Sequence, residues 1–279
     1  MTDGLIEATL KRDRRIVIAA TIVLVALSWM YVLLGSGTGM SPIAMTATTF
    51  PPFVGRSIGM FAHETWSMTY WLIMLFMWWI MMIAMMTPSA APMVLLHAAV
   101  ARRSSVGAGG RSPVMTTVAF VAGYLSIWFL FSVLATGFEW SLECLALVSP
   151  MFMWSESARL TGVILILAGA YQLTPFKSAC LEGCRSPIDF LSRHWSTGVG
   201  GTFRMGLWHG AYCVGCCWAL MLLLFAGGVM NLIWIAGLSI IVIIEKSAPF
   251  GRGFGWAIGG VLLMAGIVLV AWPEWSLQI

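Results

Sequence analysis

An all-α, polytopic membrane fold of about seven transmembrane helices is predicted by three features of the sequence. Hydrophobic residues fill 60% of 279 positions and charged ones 9%, with a mean hydropathy of +0.92; soluble domains run near 25% charged. The apolar residues fall in runs near the roughly 20 residues that cross ~30 Å of hydrocarbon. The basic residues sort to one side of those runs. Continuous apolar runs must be helical, because unpaired backbone groups cannot sit in lipid.

Seven spans are predicted in one membrane domain covering 1–279: 16–34, 67–100, 114–136, 158–173, 205–227, 231–244 and 255–271. The first follows the basic stretch Lys11–Arg15 and resembles a signal peptide. Its apolar core exceeds the usual h-region and no clear A-x-A site follows, so an uncleaved anchor is expected. The second run is too long for one straight crossing and contains Pro88 and Pro92, which predicts a helix kinked near Pro88. Carbonyls freed around Met85 would then face polar groups of neighbours. The third span leads into an outer loop, 137–157, and an earlier outer loop, 35–66, is rich in Gly, Pro, Ser and Thr. The fourth and fifth spans bracket the largest inner segment, 174–202, and the sixth is short. The seventh leads to an outer C-terminus.

With the N-terminus inside, Lys11, Arg12, Arg14, Arg15, Arg102, Arg103, Arg111, Lys177, Arg185, Arg193, Arg204, Lys246 and Arg252 are internal. Only Arg56 and Arg159 fall outside. This is a positive-inside pattern, and it predicts N-terminus inside and C-terminus outside. The expected setting is a bacterial inner membrane.

Five of the six cysteines form two clusters, Cys180/Cys184 and Cys213/Cys216/Cys217. At ~100° per residue, His209, Cys213, Cys216 and Cys217 share one stripe about 100° wide. If the fourth helix continued past Pro175, Lys177, Cys180 and Cys184 would also share a face. Both clusters map to the inner interface, a reducing compartment that disfavours structural disulfides. A Glu245–Lys177 ion pair would fix the helix end that carries Cys180.

Methionine is the third element. Seven of the twenty lie between Met68 and Met86. Met81, Met85 and Met86 are level with the thiols. Thiolates and thioethers select copper(I), zinc or iron–sulfur centres. The candidate metal ligands are therefore Cys180, Cys184, His209, Cys213, Cys216, Cys217, Met81, Met85 and Met86. Copper(I) is the expected metal, with zinc or none as alternatives. On the outer side, Met40, Met45, Met151, Met153 and Trp154 are candidate entry or exit ligands, while His63-Glu64 reads as a helix cap. Cys144 faces outside without a cysteine partner and is expected to be non-functional.

Nothing points to an enzyme of the common classes. There is no G-x-x-x-x-G-K-[ST], H-E-x-x-H or C-x-x-C-H, and no basic amphipathic region built for nucleic acid. The expected partners are the lipid bilayer and a copper enzyme or other membrane subunits.

Several motifs resemble the DUF2182 family. They are Trp78-Trp-Ile-Met-Met-Ile-Ala-Met-Met-Thr-Pro88, Tyr171-Gln-Leu-Thr-Pro-Phe-Lys177, Cys180-Leu-Glu-Gly-Cys-Arg-Ser-Pro187 and Gly206-Leu-Trp-His-Gly-Ala-Tyr-Cys-Val-Gly-Cys-Cys-Trp-Ala-Leu-Met221. Gly228-Val-Met-Asn231 and Glu245-Lys246 with Pro249 also fit. The resemblance covers roughly residues 60–270. It implies an integral membrane metal-binding protein linked to copper delivery to tyrosinase-like enzymes, with the five clustered cysteines and His209 as ligands. Three functions follow as alternatives: copper(I) transport or delivery to a membrane or exported cuproenzyme, thiol–disulfide exchange through Cys213 and Cys216 with Cys180 and Cys184 as relay, or a structural role in a larger membrane complex.

Overall fold

The computed structural model describes residues 2–37, 41–48, 66–105, 113–149, 153–155 and 157–271. Arg56, His63-Glu64, Met40, Met151, Arg111 and the C-terminal segment lie outside them. The described residues form ten helices and no strand. These are α1 (Thr2–Leu33), α2 (Pro42–Thr48), α3 (Met68–Ser105), α4 (Pro113–Cys144), α5 (Ala158–Gln172), α6 (Pro175–Arg185), α7 (Pro187–His194), α8 (Gly198–Gly227), α9 (Leu232–Ser247) and α10 (Gly251–Ala271).

Five stretches are long and apolar enough to cross a membrane: Arg15–Leu33, Met68–Arg102, Pro113–Cys144, Gly198–Gly227 and Gly251–Ala271. A sixth follows if α5 and α6, bent by 64°, count as one broken span. The 16-residue α9 covers about 24 Å at 1.5 Å per residue, short of a full straight crossing.

The centre of the bundle is α8, 67% of whose span window is buried against protein, compared with 11% for α1 and 17% for α10. All three are apolar, so sequence hydropathy alone does not rank them. Glycines set how closely α8 meets α4. Gly206 and Gly210 of α8 face Gly123 and neighbouring backbone of α4; a Cβ on Gly206 would run into the Phe120 carbonyl, and one on Gly210 would stand 2.9 Å from the Ile127 side chain. Small residues let helix backbones approach where lipid supplies no hydrophobic drive. The same device joins α5 to α10 through Gly162 and Gly169 against Gly266 and Gly259.

Two boundaries differ from the sequence expectation, while the proline-bearing α3 is one helix, as expected. Helix α4 continues past Thr136 to Cys144, because its polar residues there are held by partners rather than released to a loop. Trp78 Nε1 donates to Glu139 Oε2 at 2.6 Å and Trp66 Nε1 to Glu143 Oε2 at 2.8 Å. The helix of the fourth span does not run on through Pro175. It stops at Gln172, and α6 starts afresh with Thr174 as N-cap, accepting from Lys177 N at 3.2 Å, and Pro175 in the first turn. Proline suits a first turn and blocks continuation of the preceding one. Helix α3 includes both Pro88 and Pro92 in one element. In its proline-bearing turn the Tyr124 hydroxyl reaches the Met86 carbonyl at 3.2 Å, so a neighbour does supply a polar group there.

Candidate metal centre

The centre starts from one turn of α8. Cys213, Cys216 and Cys217 are all buried. The thiols of Cys216 and Cys217 both donate to the Cys213 carbonyl, at 3.1 and 2.9 Å. Back-bonding of this kind, familiar from Ser and Thr in apolar helices, draws the two sulfurs along the helix toward Cys213.

Each thiol then meets a different neighbour. Cys216 Sγ lies 4.0 Å from Cys184 Sγ of α6. Cys217 Sγ lies 3.9 Å from Met86 Sδ of α3. Cys213 Sγ receives Lys246 Nζ of α9 at 2.9 Å and touches the Tyr124 hydroxyl of α4 at 3.2 Å. Lys246 Nζ also donates to Ser89 Oγ at 3.1 Å, and Ser89 Oγ to the Met86 carbonyl at 2.8 Å. Five helices thus converge on the three thiols of this α8 turn, and four sulfur-bearing residues meet as two pairs, Cys216–Cys184 and Cys217–Met86.

Helix α6 is clamped in place. Lys177 Nζ pairs with Glu245 Oε2 at 2.6 Å, both buried. Gln172 joins them, donating to Glu245 Oε1 at 2.8 Å and accepting from Lys177. Arg185 Nη2 donates to the Ala248 carbonyl at 2.6 Å, tying the other end of α6 to the end of α9. The expected Glu245–Lys177 pair is therefore formed. Gly215 lets α6 approach α8: an added Cβ would stand 2.8 Å from Cys180 Sγ. The Tyr171 hydroxyl donates to the Gly215 carbonyl in the same crossing.

Of the expected ligands, Cys184, Cys213, Cys216, Cys217 and Met86 come together. Cys180 packs on Gly215 at the edge of the group. Met81 and Met85 are wholly buried, with the sulfur contact falling to Met86. His209 sits one turn from Cys213 among Phe120, Tyr124 and Phe190, ring centroids 5.8, 5.7 and 5.3 Å away. Its Nδ1 has no hydrogen-bond partner among the described residues. His209 is not the only histidine inside the bundle: His97 of α3 is buried and stacks on Phe120 at 4.9 Å.

The residues that sequence reasoning missed are Lys246, Tyr124 and Ser89. In the sequence Lys246 stands among the internal basic residues and not among the ligands, although its position beside Glu245 places the two side chains about 100° apart on α9, able to serve two different neighbours. Tyr124 and Ser89 carry no sequence signal of their own.

Chemically the donors are soft; those of α8 and α3 are buried, and Cys184 and Cys180 of α6 are half-buried. With sulfur–metal bonds of ~2.3 Å, two sulfurs 4.0 Å apart subtend about 120° at an ion between them. Cys184 and Cys216 thus fit two corners of a trigonal or opened two-coordinate site. The arrangement is not a closed cage: among the described residues no three His, Cys, Asp or Glu side chains are set to hold one ion together. Open, low-coordinate thiol sites suit a metal that must leave again.

Residues 75–269 match the family model of PpoB2, described as a copper chaperone. The chain belongs to the PpoB2 copper chaperone family. The matched stretch of this PpoB2-family chain holds the whole centre, from Met86 to Lys246. No curated protein and no solved structure matches the chain.

Proposed function

We propose that the chain takes up copper(I) as cargo at the Cys184–Cys216 pair, with Cys213, Cys217 and Met86 as exchange partners, and delivers it to a membrane or exported cuproenzyme. The observation that carries the proposal is the meeting of one thiol pair, Cys184–Cys216, one thiol–thioether pair, Cys217–Met86, and a third thiol, Cys213, that receives a buried ammonium. Two thiolates and one Cu(I) carry a net charge of −1, which Lys246 balances inside the bundle. Cys180 and His209 flank the pair and would serve as entry ligands. Met81 and Met85 continue the thioether line along α3. The motifs that resemble DUF2182 between Trp78 and Pro249 all lie within the matched residues 75–269.

The proposed setting is a bacterial inner membrane with seven crossings, α9 being the short one, N-terminus inside and C-terminus outside. The thirteen-to-two distribution of Lys and Arg supports it. The thiol centre then opens from the cytoplasmic, reducing side.

The test is metal stoichiometry. Protein purified under reducing conditions and loaded with Cu(I) should retain about one ion per chain, and Cys184→Ser with Cys216→Ser should lose it. No retained metal in the wild type would sink the copper reading. A second reading, thiol–disulfide exchange, has one observation in its favour: a lysine ammonium on Cys213 is the environment that makes a thiol nucleophilic. Alkylation and mass mapping in cells separates the two, since exchange requires a standing fraction of oxidised cysteine and copper handling requires reduced thiols.

A further inference from the structure

Away from the thiols, α4 buries a carboxyl that the copper centre does not use. Glu139 is 0% exposed. Its Oε2 accepts from Trp78 Nε1 at 2.6 Å, and its Oε1 has no hydrogen-bond partner among the described residues. The groups around it come from three helices. From α3 there is the Trp78 indole, which stacks on Phe225 of α8 at 5.3 Å. From α4 there is Phe138, packed on the same Phe225 ring at 5.3 Å, and the carboxyl of Glu143 one turn on. Glu143 is the charged group that acts on Glu139, and it has the same sign. Among the described residues no Lys, Arg or His pairs with Glu139.

Among the described residues, a carboxylate charge left there would have one neutral N–H donor and no cation. Burying an unpaired charge costs many times a hydrogen bond, and ionisable groups at such depth mark ion or proton pathways by default. The position fits a pathway. Trp78 begins the α3 stretch in which Met81, Met82, Met85 and Met86 are all 0% exposed. Met86 Sδ touches Cys217. Glu139 therefore stands at one end of a buried thioether column about 12 Å long at 1.5 Å per residue, with the thiol centre at the other.

We propose that Glu139 is a proton-carrying carboxyl that exchanges its proton for a soft monovalent cation travelling along the α3 methionines. In the step, the acid O–H bond breaks, the proton leaves toward water at the Cys144 end of α4, and the carboxylate left behind balances the charge of a cation held by the α3 thioethers. One positive charge replaces another, so the pocket keeps its net charge and no redox partner is needed. The cation half rests on copper(I) as cargo; the proton half stands without it.

The test uses the full chain in lipid vesicles, treated with dicyclohexylcarbodiimide and read by peptide mass mapping. This apolar reagent adds only to a protonated carboxyl: the acid oxygen bonds to the central carbon and the proton passes to nitrogen. Modification is expected at Glu139, severalfold above the exposed Glu182, falling as pH rises and suppressed by Cu(I) or Ag(I). Glu139→Gln, whose amide oxygen still accepts from Trp78, should lose the modified peptide while keeping the fold. No modification of Glu139 at any pH at which Glu182 reacts would overturn the proposal. Modification that Cu(I) and Ag(I) leave unchanged would overturn the exchange. A chain that binds no copper yet is modified at Glu139 loses the cargo reading and keeps the proton site; copper binding with no modification does the reverse.

Discussion

Lys246 is the residue that separates a metal centre from a packing cluster. Cysteines that merely fill space behave as small hydrophobes and give no reason to bury an ammonium among them. Here the ammonium is within 2.9 Å of a sulfur and 3.1 Å of a serine hydroxyl, an arrangement that suits the thiolate-bound ion of the proposed function. Lys246→Met keeps the stem and removes the charge. Truncating one partner of a buried charge pair costs ~3–5 kcal/mol, so Cu(I) affinity should fall by at least about a hundredfold in competition with a Cu(I) chelator. Lys246→Arg should recover part of it. Unchanged affinity in Lys246→Met would mean that the ammonium does not balance the bound ion. The sequence made the thiols and Met86 legible through ligand softness and helical spacing. It did not reveal Lys246, Tyr124 or Ser89, because their role depends on which faces of α9, α4 and α3 turn inward, and near-uniform hydrophobicity leaves that unmarked.

At the scale of elements, the site exists because α6 is held across α8 and α9. The bend at Thr174–Pro175 carries Cys184 to Cys216, and the buried Lys177–Glu245 pair with Gln172 fixes it there. Lys177→Met leaves Glu245 buried without its cation, so thermal unfolding in detergent should show a loss of ~3–5 kcal/mol, with loss of Cu(I) binding before loss of the fold. The bend itself was hidden in the sequence: the Lys177, Cys180 and Cys184 spacing reads the same on a continued helix as on a new one. The α4 extension to Cys144 was hidden likewise, since Glu139 and Glu143 look like loop residues until their indole donors are in place. Helix crossings offer a paired prediction. Gly206→Ala puts a methyl into the Phe120 carbonyl and should cost ~1–3 kcal/mol, the usual range for overpacking. Gly237→Ala in α9 meets nothing within 4 Å and should leave stability unchanged or raise it by ~0.5–1 kcal/mol, the helix-interior penalty of glycine. Equal effects from the two would show that the α4–α8 crossing tolerates separation.

For the whole molecule, the open question is which side of the membrane feeds the thiols. Cys144 and Cys180 report on it. Cys144 is exposed at the end of α4 and Cys180 is partly exposed on α6, and the proposed orientation puts them on opposite faces. A membrane-impermeant maleimide added to intact spheroplasts should therefore label Cys144 and spare Cys180; opened vesicles should yield both, and a Cys144→Ser chain should be silent in intact cells. The reverse pattern would invert the topology and place the thiol centre on the oxidising side, where thiol–disulfide exchange becomes the better reading and the Lys246–Cys213 contact becomes that of a nucleophile. Labelling of both in intact cells would bring α5 and α6 back to one face as a re-entrant pair, a geometry the 64° bend allows. The charge pattern argues against that outcome. Lys177 and Arg185 lie on α6, Arg193 on α7 and Arg204 at the start of α8, and four basic residues in so short a segment favour the inner face. With the centre inside as proposed, Glu139 lies across the bundle from it, and the buried methionines of α3 run between the two.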